Sequence, residues 1–401
     1  MGDAIGYRNG TWEFCYSGPK IHKQLHQFYG GLNGLQVNPQ DFMLSDDTIM
    51  SIATSDALLE AFPHNAEAKF EDPAFTEDLD RVMQCVSKHY VKCMKDMKGR
   101  GPGPMTIASC NRLRRGTSWD RMPFDRTGGG CGGSMRTHPL GLQLHGASRR
   151  HWLVALGIEA GRVTHSHPTG FLGSLTAAVF TAYAMEEVPV PEWGWRFMGE
   201  VLPMAKQYLK SSRDWNDVKG TMEPFEKKFA RYLKLRGIDK PGGTPSWPTP
   251  FGVAERDKFY TSLSFDGWGG ASGDDSVLIA YDAVLACNGS WEEFAMRGIL
   301  HGGDNDSTGT IGGAFFGACY GLDSVPKCHY EGLEYVDRLR ALAGLIGGRA
   351  PASASSPGDA ESSSAAQSSG SPKRHAAPKR AASPAKGPAK AARKARGASR
   401  K

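Results

Sequence analysis

The chain has 401 residues, with 48 Lys and Arg against 42 Asp and Glu, for a formal charge of +6. Eleven of those cations and no acid lie in residues 371–401, so residues 1–370 are mildly acidic and do not read as a nucleic-acid-binding globule. The eight Cys form no C-x-x-C pair, which argues against a disulfide scaffold and fits a reducing compartment.

No N-terminal signal sequence is visible, and the longest uncharged runs are rich in Gly, Ser and Thr. They read as buried helices of a soluble protein, with no membrane span. Residues 1–346 are long enough for one large core or two smaller ones. Residues 347–401, nearly all Ala, Ser, Pro, Gly, Lys and Arg, read as a disordered tail that turns strongly basic from 371.

In chain order, Gly2-Asp3-Ala4-Ile5-Gly6 looks like the inside of a packed element. Ser45-Asp46-Asp47-Thr48 then precedes Ile49, Ile52, Ala53 and Leu59, a polar cap before an apolar stripe of helical spacing. That helix is expected to run to about Ala61. A second amphipathic helix starts near Thr76, a candidate cap, and presents Leu79, Val82, Met83, Val86 and Tyr90. Gly99 to Pro104 ends it, and a short segment to Arg115 follows.

Gly128 to Arg136 is very rich in glycine but lacks the spacing of a P-loop or dinucleotide fingerprint. Its N–H groups could cradle a phosphate, with Arg136 adding a charged fork; a tight crossing between helices explains it as well. His165-Ser166-His167-Pro168-Thr169-Gly170 is a turn opening a buried helix from Phe171 to Met185. The two histidines line a cleft, bond backbone, or, less in keeping with the absence of spaced partners, bind zinc.

Helices follow at Trp193–Leu209 and Phe225–Leu235. Pro241 to Pro250 carries four prolines and could divide two lobes. Beyond it lie Phe259 to Leu263, the run from Gly267-Trp268 to Asp274-Asp275-Ser276, a helix through Ala286, one from Ser290 to Leu300, and a last one from Tyr330 to Leu345. Trp268 could stack on a base or sugar, or serve as a buried hinge. Asp274 and Asp275 either join an acidic site or cap the helix from Ser276.

In His301-Gly302-Gly303-Asp304-Asn305-Asp306-Ser307, carboxylates two residues apart share no helix face, so this is a loop or a helix start, with Ser307 a candidate cap. If it meets Asp46-Asp47 in space, four carboxylates repel one another unless hard cations such as Mg²⁺, Mn²⁺ or Ca²⁺ join them. Otherwise these acids merely shape two helix starts. Two-residue alternation is scarce, so the fold class is all-α, with functional residues on the loops.

Taken together, Gly2 to Gly6, Ser45 to Thr48, Gly129 to Arg136, His165 to Gly170 and Gly302 to Ser307 resemble, in order and spacing, the ADP-ribosylglycohydrolases. Trp12-Glu13-Phe14, Lys20-Ile21-His22, Gly252-Val253, Glu255-Arg256-Asp257 and Phe259 to Ser264 are similar to the family's arginine branch. The likeness covers about residues 2 to 345.

It implies a compact multi-helix fold with two Mg²⁺ ions, or Mn²⁺, in a central cleft. Ser45, Asp46, Asp47, Asp304, Asp306 and Ser307 would be the metal ligands. Gly129, Gly130, Cys131, Gly132, Gly133 and Ser134 would hold the diphosphate, and His165, Thr169, Tyr260, Trp268 and Ser272 would shape the ADP-ribose cleft. The reaction implied is hydrolysis of the N-glycosidic bond of ADP-ribosylarginine, with Asp46 or Asp47 handling the proton. The alternatives are ADP-ribosylserine, O-acetyl-ADP-ribose or poly(ADP-ribose) as substrate, or a non-catalytic ADP-ribose reader.

The partners expected are mono-ADP-ribosylated proteins, met by a monomer in the cytoplasm. The basic tail suggests weak nonspecific nucleic-acid contact, nuclear import, or simply a solvated end. The chain departs from the family twice. An apolar helix expected ahead of Gly2-Asp3-Ala4 is missing, which predicts an incomplete first helix and a stability loss of several kcal/mol. The Gly273-Asp274-Asp275 stretch also carries an extra acid where the arginine branch has a histidine, which would bear on the leaving group and the linkage.

Overall fold

The computed structural model describes residues 1–347, so the tail expectations lie outside the described residues. Seventeen α-helices follow one another: α1 (Gly2–Tyr7), α2 (Gly18–Tyr29), α3 (Asp46–Glu60), α4 (Phe75–Cys93), α5 (Pro104–Arg114), α6 (His138–Gln143), α7 (Arg150–Arg162), α8 (Pro168–Met185), α9 (Trp193–Arg196), α10 (Leu202–Ser211), α11 (Trp215–Val218), α12 (Glu223–Arg236), α13 (Val253–Leu263), α14 (Gly273–Cys287), α15 (Trp291–Gly298), α16 (Asn305–Tyr320) and α17 (Val336–Gly347). Pairing between extended segments is limited, among the described residues, to two isolated bridges, Cys15 with Gly303 and Gly130 with Ser272. The all-α expectation holds.

The centre is α8. Its residues from Gly170 to Ala184 are buried, and it packs on α6, α7, α14 and α16. A helix with no polar face has to be surrounded, which is why Phe171 to Met185 reads as uncharged. The proline-rich stretch 241–250 does not divide two lobes, because residues 1–347 fall within one compact unit.

Several boundaries differ from expectation for local reasons. Pro104 to Arg114 is a helix, with Pro104 in its first turn; it buries only Thr106, Ser109 and Cys110, too few for a readable apolar stripe. The second amphipathic helix starts at Phe75 without a side-chain cap, so Thr76 does not cap it. Trp193–Leu209 is broken at Phe197–Val201 by a widened π turn.

α1 lies wholly buried against α16, joining sequence positions three hundred residues apart. The crossing is close: a β-carbon on Gly309 would meet the Gly2 carbonyl oxygen at 2.7 Å. Gly309→Val is therefore expected to cost about 3 kcal/mol, at the upper end for overpacking. Calorimetry should show a thermal midpoint several degrees lower; an unchanged midpoint would show that α1 does not bear on stability. From this seat Asp3 caps the next acidic helix. Its carboxylate accepts from the N–H of Ser45 (3.0 Å) and Thr48 (3.2 Å) and from the Thr48 hydroxyl.

Candidate active site

The two acidic helix starts meet. Ser45 caps α3 through its hydroxyl, which accepts from the Asp47 N–H at 3.2 Å and leaves Asp46 and Asp47 in the first turn. α16 starts at Asn305 with Asp304 as its N-cap residue, so Ser307 lies one turn inside and does not cap. Its hydroxyl instead meets the Cys131 sulfur at 3.5 Å, and the Cys131 thiol donates to Asp304 Oδ2 at 3.2 Å. Asp46, Asp47, Asp304 and Asp306 are all buried.

A further carboxylate, Glu13, joins them. Oxygens of Glu13, Asp304 and Asp306 all lie within 4.8 Å of one another. Glu13 comes from an irregular turn before α2, where Phe14 has a left-handed φ of 54° and gives its N–H to the Gly303 carbonyl at 2.8 Å. Nothing in local spacing marks it; only its place in the Trp12-Glu13-Phe14 segment could have drawn notice.

The stretch from Trp268 to Gly273 stitches the site together. Gly269 O accepts from the Asp304 N–H (2.9 Å), Ala271 O accepts from the Cys131 N–H (3.0 Å), and the Gly273 N–H donates to Gly129 O (2.9 Å). The late acidic start and the glycine-rich loop are thus hung on one connecting segment.

Two cavities result. An acidic chamber of about 340 Å³ is lined by Glu13, Asp46, Asp47, Cys131, Gly132, His165, Asp304 and Ser307, among others. A cleft of about 640 Å³ adjoins it through Thr127, Gly130 and Ala271, and is lined by Gly129, Thr169, Trp268, Ser272, Lys228 and Asp274 among others. A larger hollow of about 840 Å³ lies elsewhere, near His64 and Trp152, and includes none of these residues.

Four expectations are corrected. Tyr260 lines neither cavity: it is fully buried against the His301 ring, with its hydroxyl donating to Asp282 at 3.4 Å. Gly133 and Ser134 are buried away from both: the Gly133 carbonyl accepts from Thr137 and the Ser134 hydroxyl faces Gly273 O. Arg136 offers no fork to a ligand, being buried under Tyr90 with its guanidinium given to Ala160 O (2.7 Å) and Thr164 Oγ1 (2.6 Å). Asp274 opens on the larger cleft, paired with Lys228 at 2.7 Å, and does not line the acidic chamber.

His165 lines the chamber, where burial and then Arg136 hold its pKa down to about 3, so it is neutral. His167 spends Nδ1 accepting from the Thr169 N–H at 3.2 Å. Asp275 caps α14 by accepting from the Ser272 N–H at 3.0 Å.

The electrostatics are those of acids without counter-charge. Burial, then Asp3 and Asp304, raise Asp46 to about 7; burial, then Asp304, raise Glu13 to about 8. Asp47 and Asp306 are driven well above the ordinary carboxylate range, first by burial and then by their acidic neighbours. Asp47 Oδ2 and Asp304 Oδ1 are buried without a hydrogen-bond partner. Orphaned buried carboxylate oxygens converging from two helix starts are the donor set a hard divalent cation takes. The residues present fit such an ion.

A sign follows for pH. These carboxyls hold protons in the folded state that the unfolded chain releases at the ordinary 3.8 to 4.5. In chelator, stability should therefore fall as pH rises from about 4 to about 8, the span between the unfolded and raised folded values. Urea titrations at pH 5 and pH 8 would measure it, and equal or greater stability at pH 8 would contradict the cluster's electrostatics.

An all-helical chain with buried carboxylates gathered at two helix starts beside a glycine-rich loop is what the resemblance to the ADP-ribosylglycohydrolases implies. The chain belongs to that family, whose model matches residues 1–355.

Among its relatives, ADP-ribosylhydrolase ARH1 of Dictyostelium discoideum is 39% identical over 368 residues, spanning 86% of this chain and 90% of that protein. The putative ADP-ribosyl glycohydrolase L444 of Acanthamoeba polyphaga mimivirus is 29% identical, over 85% of this chain and 67% of that protein. The ADP-ribosyl-[dinitrogen reductase] glycohydrolase of Rhodospirillum rubrum is 24% identical, over 86% and 94%. No helix among the described residues is long and apolar enough to cross a membrane.

Proposed function

We propose that this chain is a metal-dependent ADP-ribosylarginine hydrolase, freeing ADP-ribose and restoring arginine on mono-ADP-ribosylated proteins. What supports it most is the meeting of Asp46 and Asp47 with Asp304 in one chamber, with Asp306 beside Asp304, and the opening of that chamber on a cleft large enough for a nucleotide. Ser45, Asp46, Asp47, Asp304, Asp306 and Ser307 are the residues that would hold two Mg²⁺ or Mn²⁺ ions, with Glu13 beside them. When bound, such ions supply Lewis acidity and a fixed seat for ribose hydroxyls.

The chain's own residues do the rest. Gly129, Gly130, Cys131 and Gly132 border the passage between chamber and cleft, where the diphosphate would lie. Thr169, at the amino end of the long helix α8, adds a favourable pole for anions. Trp268 and Ser272 wall the larger cleft, and His165 presents a neutral ring to the chamber. Fixing the sugar between these walls supplies orientation.

Bond cleavage places positive charge on the ribose, and the buried carboxylates favour it there. Guanidine leaves well only when protonated. Glu13, whose burial favours the protonated form, is placed to hold the proton for the leaving nitrogen. Asp46 or Asp47 takes the proton of the attacking water.

The test is release of ADP-ribose from arginine-linked and serine-linked peptides, with Mg²⁺ and with chelator. Arginine-linked turnover lost in chelator is the expected result. Preference for the serine linkage or for O-acetyl-ADP-ribose would move the substrate within the family, and tight ADP-ribose binding without turnover would make the chain a reader.

A further inference from the structure

A second, chemically different cluster lies at the far end of α3. Glu60 ends that helix, while Cys85 and His89, four residues apart, share one face of α4. Fourteen residues separate Glu60 from Asp46, about 21 Å along a helix, so this cluster is remote from the acidic chamber. One ligand atom from each of Glu60, Cys85 and His89 falls within 4.8 Å of the other two. Cys85 and His89 are buried and Glu60 is exposed.

We propose that Glu60, Cys85 and His89 form a binding site for a borderline-soft divalent ion of the Zn²⁺ class, clipping the end of α3 to α4. The donor set selects the ion. One sulfur, one imidazole nitrogen and one carboxylate oxygen suit Zn²⁺ or Co²⁺ and are poor ligands for Mg²⁺ or Ca²⁺. Three protein ligands leave a fourth position for water on the exposed side.

Tetrahedral bonds of this kind put ligand atoms about 3.3–3.8 Å apart. His89 Nε2 and Glu60 Oε2 stand at 2.8 Å and have only to part slightly, with the exposed Glu60 free to swing. Cys85 Sγ, 3.7 Å from the Ala57 carbonyl, has no strong bond to give up. The competing contact is Lys88 Nζ to Glu60 Oε1 at 2.7 Å, an exposed ion pair of the kind that contributes little.

Protonation favours the carboxylate and works against the thiol. Lys88, and then His89, hold the Glu60 carboxyl down to about 2, so it is ionised at neutral pH. Burial pushes the Cys85 thiol up to about 11, so binding must drive its proton into solvent, and affinity should rise with pH.

The test is Co²⁺ titration of the full chain in saturating Mg²⁺, read by the near-ultraviolet sulfur-to-cobalt charge-transfer band and by displacement with Zn²⁺. One equivalent should produce the band. Cys85→Ser should abolish it, Cys131→Ser should keep it, and Glu60→Gln or His89→Gln should weaken binding more than about 100-fold, beyond the loss of a supporting hydrogen bond. Because Glu60 is exposed, Glu60→Gln reports binding even if a buried substitution disturbs folding. Absence of the band in the unaltered protein, or a band that survives Cys85→Ser, overturns the proposal.

Discussion

Asp304→Asn is expected to lower kcat/KM for the arginine-linked substrate about 1,000-fold, about 4 kcal/mol of transition-state stabilisation, while making the chelated protein more stable. Both effects have one origin. Asp304 is buried, and its Oδ2 accepts from the Cys131 thiol, a weak donor. Without a cation it adds repulsion to Asp46, Asp47 and Glu13, each raised in pKa by its presence.

Asparagine keeps the shape and removes that charge. Relief of an uncompensated buried charge should return roughly 1–3 kcal/mol in chelator. The same change takes away an oxygen the cation site would use, so added Mg²⁺ should stabilise the variant much less than the parent. Thermal scans with and without Mg²⁺, beside single-turnover rates, measure both. A variant as active as the parent would remove Asp304 from the site.

Gly303→Ala should also slow the reaction, about tenfold less than Asp304→Asn does and with no change of charge. Gly303 has φ +130°, which an alanine reaches only under strain, and a β-carbon there would collide with the Gly269 carbonyl. That carbonyl accepts the Asp304 N–H, and the Gly303 carbonyl accepts from Phe14, next to Glu13. The clash would push Asp304 and Glu13 apart together. A displacement near 1 Å costs about 100-fold in rate. Gly313→Ala is the control: it lies in α16, a β-carbon there meets nothing within 4 Å, and its rate should stay within about twofold. If both variants behave alike, the stitched backbone does not organise the chemistry.

Much of the site was readable because it is built on helix starts. Ser45-Asp46-Asp47 ahead of an apolar stripe has one physical meaning, and α3 obeys it. The late start was readable as a place but not in detail: Asp304 and Ser307 can both cap, and the backbone chose Asp304, freeing Ser307 for the chamber.

Glu13 was unreadable because its position depends on a left-handed turn at Phe14 tied to Gly303, a contact between distant residues. Arg136 and Tyr260 misled for the opposite reason. A guanidinium beside glycines and a tyrosine in an aromatic pair suit ligands, yet here each fills a core position with polar partners inside. Chain order shows which residues are polar, but not which of them burial will satisfy.

The pairing of α1 with α16 sets an order on biosynthesis. α1 meets its main packing partner, α16, only after some three hundred further residues have followed. Contacts of such long range form late, and domains assemble from the amino end as they emerge. Asp3 is seated over Ser45 by a helix that α16 holds, so the nascent chain brings its two acidic helix starts together only once α16 has been made.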